Sequence, residues 1–263
     1  MSKMLEGVVA LVTGAGQPDG IGFATAKILG REGALLAITA TGDHVFDRVA
    51  ELNALGFDAF GLVADLTANE EARRMVDQVA KRFGRIDALV NNAGAAVGGA
   101  FVDLDEASWD RDISLSLKTV YNVTRPVLPL MFAHGRGRIV MVASTSGATI
   151  GSPNWSAYSA AKAGIVGLVR TLAVEVGRHG VTVNAVNPGW INTREVDVSA
   201  RPDYGNTPVG RVGEPEEVGE VVAFLASERS RFITGQEIIV DGGAAVQDSD
   251  ADVWYRTDPT GAS

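Results

Sequence analysis

Residues 8–22 read VVALVTGAGQPDGIG. Five apolar residues, Val8–Val12, stand between Gly7 and a glycine-rich turn. The run is too short for a helix and has no polar face, which is the pattern of a strand buried on both sides of a parallel sheet. Gly14, Gly16, Gly20 and Gly22 follow, and Ile21–Arg31 then reads as a helix closed by Gly33. A glycine turn between a strand and a helix lets backbone N–H groups and the helix N-terminus approach a pyrophosphate. A tight turn without a ligand has the same local signature, so the rest of the chain decides.

Working outward, short apolar runs alternate with longer amphipathic ones. Leu35–Thr39 predicts a second strand, His44–Leu55 a helix, Ala59–Val63 a third strand. Asn69–Phe83 predicts a helix with Asn69 as its N-cap and Gly84 after its end. Ala88–Asn91 is a fourth strand, and a glycine-rich loop over Asn92–Gly99 leads to a long helical stretch from about Ser108 to Ala133. Pro126 and Pro129 fall inside that stretch and are expected to kink or restart it. Arg138–Ala143 is a fifth strand, Ala157–His179 a helix, Val181–Val186 a sixth strand, Pro215–Ala226 a helix and Glu237–Val240 a last strand. The proline-containing segment Asn187–Gly210 reads as loop. Strand and helix alternate without a composition break or repeat. That implies α/β, a doubly wound parallel sheet of the Rossmann type with about seven strands and helices on both faces. One domain is expected over 1–243, with 244–263 a polar tail, frayed or packed on a neighbouring subunit.

Composition narrows the function. The chain has 263 residues, 46% of them hydrophobic and 21% charged, enough to bury a large core. Its net charge of −9, with no basic run, argues against nucleic acid or an anionic membrane as partner. Cysteine is absent and the three histidines, His44, His134 and His179, are scattered, so no metal site is expected. The lack of cysteine is compatible with a reducing cytosol. The N-terminal residues lack the apolar core of a leader, and no run approaches the roughly 20 residues that span a bilayer. A cytoplasmic location is the expectation.

The stretch Ser144–Lys162 reads STSGATIGSPNWSAYSAAK. If Tyr158 opens a helix, Lys162 lies one turn further on the same face. An ammonium near a phenol favours the phenolate, which suits proton exchange near neutral pH. Taken alone the pair is an ordinary solvated one.

Five motifs in order now carry a resemblance to the short-chain dehydrogenase/reductase family, and it covers nearly the whole chain. Thr13-Gly14 with Gly20-Ile21-Gly22 is similar to the family's cofactor turn, and Asn91-Asn92-Ala93-Gly94 to its fourth-strand motif. Tyr158-x-x-x-Lys162 with Ser144 upstream resembles the catalytic group, Asn187-Pro188-Gly189 the motif after strand six, and Asp241-Gly242-Gly243 the last strand end. The resemblance implies a nicotinamide cofactor held by Gly14, Gly16, Gly20, Ile21, Gly22, Thr41, Asp65, Leu66, Asn92, Ala93, Gly94, Tyr158, Lys162, Pro188, Gly189, Ile191 and Thr193. It implies Tyr158 as general acid and base, Ser144 as the hydroxyl that steadies the developing alkoxide, and Lys162 as the group that holds the ribose and lowers the tyrosine pKa. Thr145 is the alternative hydroxyl: Ser144 lies 14 residues before Tyr158, and many relatives have one fewer.

There are two departures. Five residues separate Gly14 from Gly20 where the family has three, so either Gln17–Asp19 bulges or Gly16 does the first glycine's work. Ser116 stands where the family has an asparagine that holds a water in the proton relay. The end of the second strand reads Thr39-Ala40-Thr41, with Ala40 where NAD-preferring relatives carry Asp. This resembles NADPH-dependent 3-oxoacyl-thioester reductases. NADP(H) is therefore favoured, with NAD(H) open because Asp19 sits where NADP-preferring members carry a basic residue. His44 and Arg48 could add positive charge. The pocket is expected to include Ala95–Val97, Ser146, Trp155 and the segment from Trp190 to Pro208, which holds Arg194, Arg201 and Tyr204. The function expected is a ketone reductase or alcohol dehydrogenase acting on a small molecule, with a 3-oxoacyl-ACP/CoA reductase as runner-up and a non-catalytic nucleotide-binding relative as the reading from another class. Assembly as a homotetramer (or homodimer) through the helices flanking the fifth strand is implied by the same resemblance.

Overall fold

The computed structural model describes residues 3–193 and 207–247. Seven parallel strands form one sheet in the order β3-β2-β1-β4-β5-β6-β7. They are β1 (Val9–Val12), β2 (Leu35–Ala40), β3 (Ala59–Val63), β4 (Ala88–Asn91), β5 (Gly137–Val142), β6 (Val181–Pro188) and β7 (Glu237–Val240). The order runs outward from β1 in one direction and from β4 in the other. Connections therefore leave the sheet on opposite faces at the β1/β4 boundary, which opens a crevice at the carboxyl ends of those strands.

Strand parity builds the two layers. In β1, Ala10 and Val12 point to one face and Leu11 to the other. The first face is covered by α1 (Ile21–Arg31), α2 (His44–Ala54) and α8 (Pro215–Ala226), through Phe23, Leu29, Leu52 and Val222 among others. The second is covered by α3 (Asn69–Phe83), α5 (Thr119–His134) and α7 (Ser156–Val176), through Met75, Val127 and Ile165, with a short turn of helix, α6 (Thr145–Ala148), between β5 and α7. Leu11 and Leu89 are wholly buried between these layers. Burial of each such side chain stabilises the fold by roughly 1.5–3 kcal/mol.

α3 shows why local sequence suffices for most helices. Ala72, Met75, Val76 and Val79 form its buried stripe. Glu70 and Glu71 sit in the first turn, Lys81 and Arg82 in the last, as the macrodipole favours. Gly84 ends it at φ +79°, its N–H donating to the Ala80 carbonyl at 2.7 Å. The expected N-cap is corrected by one residue: Ala68 is the cap, and Asn69 instead donates from Nδ2 to Asn122 Oδ1 across to α5.

The helical stretch expected from about Ser108 begins earlier, as α4 (Glu106–Ile113), capped by Asp105, which accepts the Ser108 N–H at 2.7 Å. It then widens into a π turn, Ser114–Lys118, before α5. The prolines do not restart the helix: Pro126 and Pro129 both lie inside α5. A proline removes one backbone donor from a ladder that the neighbouring turns and the packing of α5 against β4 and β5 maintain. The break in helical geometry belongs to the π turn, at Ser116.

Candidate active site

The crevice floor is fixed by Thr13 and Asn92. The Thr13 hydroxyl accepts the N–H groups of Asn92 and Ala93, both at 3.0 Å, and donates to the Val90 carbonyl at 3.3 Å. Asn92 Nδ2 donates to the carbonyls of Thr13 and Gly14, at 3.1 and 3.0 Å. The turn after β1 is thus tied to the loop after β4. Gly14 has φ +66°, and a Cβ there would lie 2.7 Å from the Ala93 Cα. A Cβ on Gly22 would lie 2.5 Å from Asn92 Nδ2 and from the Gly14 carbonyl oxygen. The two extra residues of the turn are accommodated between Gln17 and Gly20, whose N–H closes on the Gln17 carbonyl at 3.2 Å. Gly14 holds the positive-φ position open to glycine, and Gly16 serves a different contact, since a Cβ on it would strike the His44 ring and Ala40.

Above this floor lies a cavity of about 850 Å³. Its wall includes Gly14, Gly20, Ile21, Gly22, Asn92, Ala93, Gly94, Ser144, Tyr158, Lys162, Pro188, Gly189, Ile191 and Thr193, all expected from the sequence. Five expected residues lie off that wall. Gly16, within the glycine turn, and Thr41, after β2, do not reach it, Leu66 is buried, and Asp65 is engaged in a turn, accepting the Thr67 N–H and hydroxyl at 2.9 and 2.7 Å. Ser116 is wholly buried behind the wall. Of the expected substrate-side residues, Ala95, Ala96, Ser146, Trp155 and Trp190 line the cavity, Val97 does not, and Arg194, Arg201 and Tyr204 lie outside the described residues.

Tyr158 and Lys162 stand one turn apart near the start of α7, with the Lys162 Nζ 5.4 Å from the Tyr158 ring centroid. Lys162 is 4% exposed and donates to the Val142 carbonyl at the end of β5, at 2.8 Å. Burial pushes its ammonium down from the usual 10.5 to about 8. Trp155 meets Tyr158 edge-on, ring centroids 5.3 Å apart. The two candidate hydroxyls differ in address. Thr145 is buried and donates to the Pro188 carbonyl at 3.3 Å, whereas Ser144 is half-buried and accepts the Ser146 N–H at 3.1 Å.

Ser116 sits in the π turn and donates to the Ala95 carbonyl at 3.0 Å. One helical turn earlier, Asp112 Oδ1 accepts the Val97 N–H at 2.6 Å. The two side chains together clasp the loop after β4 from behind. Gly94 lies between Ser116 and Lys162, a Cβ there being 3.6 Å from Ser116 Oγ and 3.4 Å from Lys162 Nζ. Asp112 escaped the sequence reading, because nothing local marks a buried acid that serves a loop fifteen residues away. On the far side, the Asn192 N–H donates to the Gly213 carbonyl at 2.7 Å and the Gly213 N–H to Trp190 at 3.0 Å, which docks the Trp190–Thr193 segment just before α8.

A crevice at the switch point of a doubly wound sheet, walled by a glycine turn and by Tyr158 with the buried Lys162, defines a nucleotide-binding oxidoreductase of the Rossmann type. The chain belongs to the short-chain dehydrogenase/reductase family, and a family profile described as enoyl-(acyl carrier protein) reductase matches residues 14–245. It is 38% identical over 257 residues to the oxidoreductase UcpA of Salmonella typhimurium, covering 93% of this chain and 97% of that one. It is 39% identical over 247 residues to the 3-oxoacyl-[acyl-carrier-protein] reductase FabG of Thermotoga maritima, covering 92% and 99%. A solved structure assigned to the short-chain dehydrogenases/reductases, from Burkholderia xenovorans, superposes with a TM-score of 0.90 at 37% identity, over 94% of this chain and all of that one. The protein is accordingly an oxidoreductase. Among the described residues no helix is long and apolar enough to cross a membrane and no cluster of side chains could hold a metal ion.

Proposed function

We propose that the protein interconverts a carbonyl compound and a secondary alcohol by hydride exchange with NADP(H), with Tyr158 as general acid and base. The observation that carries this reading is the convergence of Tyr158, Lys162 and Ser144 on one cavity with the glycine turn. The nicotinamide cofactor, when bound, supplies or takes up the hydride. The chain's residues fit it: Gly14 and Gly22 let the glycine turn close against Ala93 and Asn92, where a Cβ would clash, and α1 begins at the cavity with no side-chain cap and no acidic residue in its first turn. Asn92–Gly94, Pro188, Gly189, Ile191 and Thr193 complete the holding surface.

Tyr158 gives a proton to the substrate oxygen in reduction and takes it back in oxidation. Ser144 donates a hydrogen bond to the same oxygen and favours the charge that develops there. Lys162, held by the Val142 carbonyl, places a cation beside the tyrosine ring and so favours negative charge on the phenolic oxygen. Ser144 is preferred over Thr145 because the threonine hydroxyl is committed to Pro188. Ser116 acts from behind, by fixing Ala95 and with it Gly94.

NADP(H) is favoured over NAD(H) because β2 ends in Ala40, with no carboxylate there to repel a 2′-phosphate, and His44 packs against the glycine turn. The 39% identity to a 3-oxoacyl reductase supports a second reading, reduction of a 3-oxoacyl thioester. The chain assembles as a homotetramer or homodimer through α5 and α7, whose outer faces carry the exposed Tyr121 and Val174. Tyr158→Phe tests the mechanism: turnover of ketones with NADPH is expected to fall by roughly 10²–10⁴-fold while the dinucleotide still binds. Retention of parental turnover would refute it. Comparison of NADPH with NADH, and of a 3-oxoacyl thioester with simple ketones, tests the two finer assignments.

A further inference from the structure

We infer that the substrate end of the cavity is built for a carbonyl compound bearing a hydroxyl on the carbon next to the reacting one, with the Ser146–Ser152 hydroxyl pair as its second anchor. The inference rests on the reading of Tyr158 and Ser144 given above and names the substrate class for it.

Ser146 Oγ and Ser152 Oγ lie 2.7 Å apart, and both residues are half-buried in the cavity wall. A hydroxyl carries one donor and two acceptor sites. The bond inside the pair consumes one donor and one acceptor, so the pair still offers one donor and three acceptor sites to a ligand. It is also held in place. The Ser146 N–H is on Ser144 Oγ, the Gly147 N–H on the Ile150 carbonyl at 2.9 Å, and the Ile150 N–H on the Thr145 carbonyl at 3.0 Å. Gly147, at φ +85°, seats the turn so closely on α7 that a Cβ would lie 2.1 Å from the Ser159 carbonyl oxygen. Ser146 follows Ser144 by two residues on this turn, so the second anchor stays within short reach of the first.

The surroundings select the rest of the ligand. Ala95, Ala96, Ile150, Trp155 and Trp190 offer carbon surface for a carbon skeleton. Among the described residues the charged side chains on the cavity wall are Asp19, in the glycine turn, and Lys162, beneath Gly94. An unsubstituted ketone leaves the serine pair to water. An α-hydroxy ketone places its carbonyl oxygen at Tyr158 and Ser144 and its hydroxyl at the pair. In the reductive direction the carbonyl carbon gains a hydride from the reduced nicotinamide and the carbonyl oxygen gains the Tyr158 proton. The product is a vicinal diol, the nicotinamide is oxidised, the tyrosine is reprotonated from solvent, and the neighbouring hydroxyl is unchanged.

The test compares acetoin with butanone, and hydroxyacetone with acetone, using the full chain with NADPH and NADH. The parent is expected to favour each hydroxy ketone in kcat/KM by about tenfold or more, the scale of one neutral hydrogen bond. Ser152→Ala should lower that ratio about tenfold, mainly through KM, and Ser152→Thr, which keeps a hydroxyl, should restore it. Quenching of tryptophan fluorescence by acetoin in cofactor-loaded protein reads binding without turnover and should weaken in Ser152→Ala by a similar factor. A ratio near one in the parent, or a ratio untouched in Ser152→Ala, overturns the inference while leaving the Tyr158 reading intact. Acetoin binding that depends on Ser152 in a protein that reduces neither compound overturns the Tyr158 reading and leaves the anchor standing.

Discussion

The wall formed by the glycine turn presents mainly backbone. Gly14, Gly20 and Gly22 present peptide groups, and Thr13 and Asn92 hold them in place from below. The opposite wall, at the end of β5 and the start of α7, is made of side chains: Ser144, Ser146, Ser152, Trp155, Tyr158 and Lys162. A backbone wall tolerates no added atoms but is indifferent to what reacts beside it. A side-chain wall chooses the chemistry and the substrate, and it depends on being aimed. One glycine crosses this division. Gly147 belongs to the side-chain wall, yet it is the tightest close approach among the described glycines.

Gly147→Ala should therefore have the largest effect among changes outside Tyr158. A methyl group at φ +85°, 2.1 Å from the Ser159 carbonyl oxygen, is expected to cost roughly 2–5 kcal/mol in stability and to displace the start of α7. Urea unfolding and turnover should both fall. Gly22→Ala probes the backbone wall, where the added Cβ would meet Asn92 Nδ2 and the Gly14 carbonyl at 2.5 Å. A stability loss of about 1–3 kcal/mol is expected. Dinucleotide affinity, measured by calorimetry, should drop at least about tenfold, with the chemistry of any bound complex less affected than in Gly147→Ala. If both variants lose affinity and turnover in equal proportion, the division between the walls is wrong.

A smaller effect comes from the buried lysine. Its folded pKa of about 8 lies below the unfolded value of 10.5. Between those values the unfolded chain binds more protons than the folded one, so stability rises with pH across that window. Below about pH 8 both states hold the proton and the burial cost is constant. Lys162→Met should lack this rise, a difference read by comparing parent and variant unfolding in urea from pH 7.5 to 10, values taken as roughly bracketing the window. A parent whose stability relative to the variant stays flat there would contradict the cause assigned to the shift. The smallest effect is at Ser116. Ser116→Ala leaves the Ala95 carbonyl without its side-chain donor and should cost about 1 kcal/mol, with Asp112 still holding Val97.

The same division explains what could be read in advance. The bounds of α1, β3, α3, β4, α8 and β7 follow from apolar spacing and from punctuation by Gly, Asp and Pro, which are local signals. β6 runs on through Pro188, two residues beyond its apolar run, because Asn187 and Pro188 pair with Ile239 and Val240 of the neighbouring strand. The π turn had no local signature: its Ser116 bond reaches back 21 residues to Ala95. At the site, the residue types of the Tyr–Lys pair and the glycines were legible because family motifs preserve their order. The clasp by Asp112, the commitment of Thr145 to Pro188 and the Ser146–Ser152 pair were not, since each depends on which way a side chain turns after the chain has folded. The Ser108 N–H cap was legible and missed: Asp105 lies three residues ahead of Ser108 in the spacing of an N-cap.

The π turn at Ser114–Lys118 also has a genetic consequence. It holds one residue more than an α-helical turn would, so everything after it is rotated by about 100° relative to an uninterrupted helix. The apolar stripe of α5, Val120, Val123, Val127 and Met131, faces the sheet only with that extra residue in place. Loss of a single codon here would heal the helix and turn the stripe a quarter of a circle away from its partners. Missense changes at Ser116 should thus be survivable, while an in-frame deletion one residue long at the same spot should not.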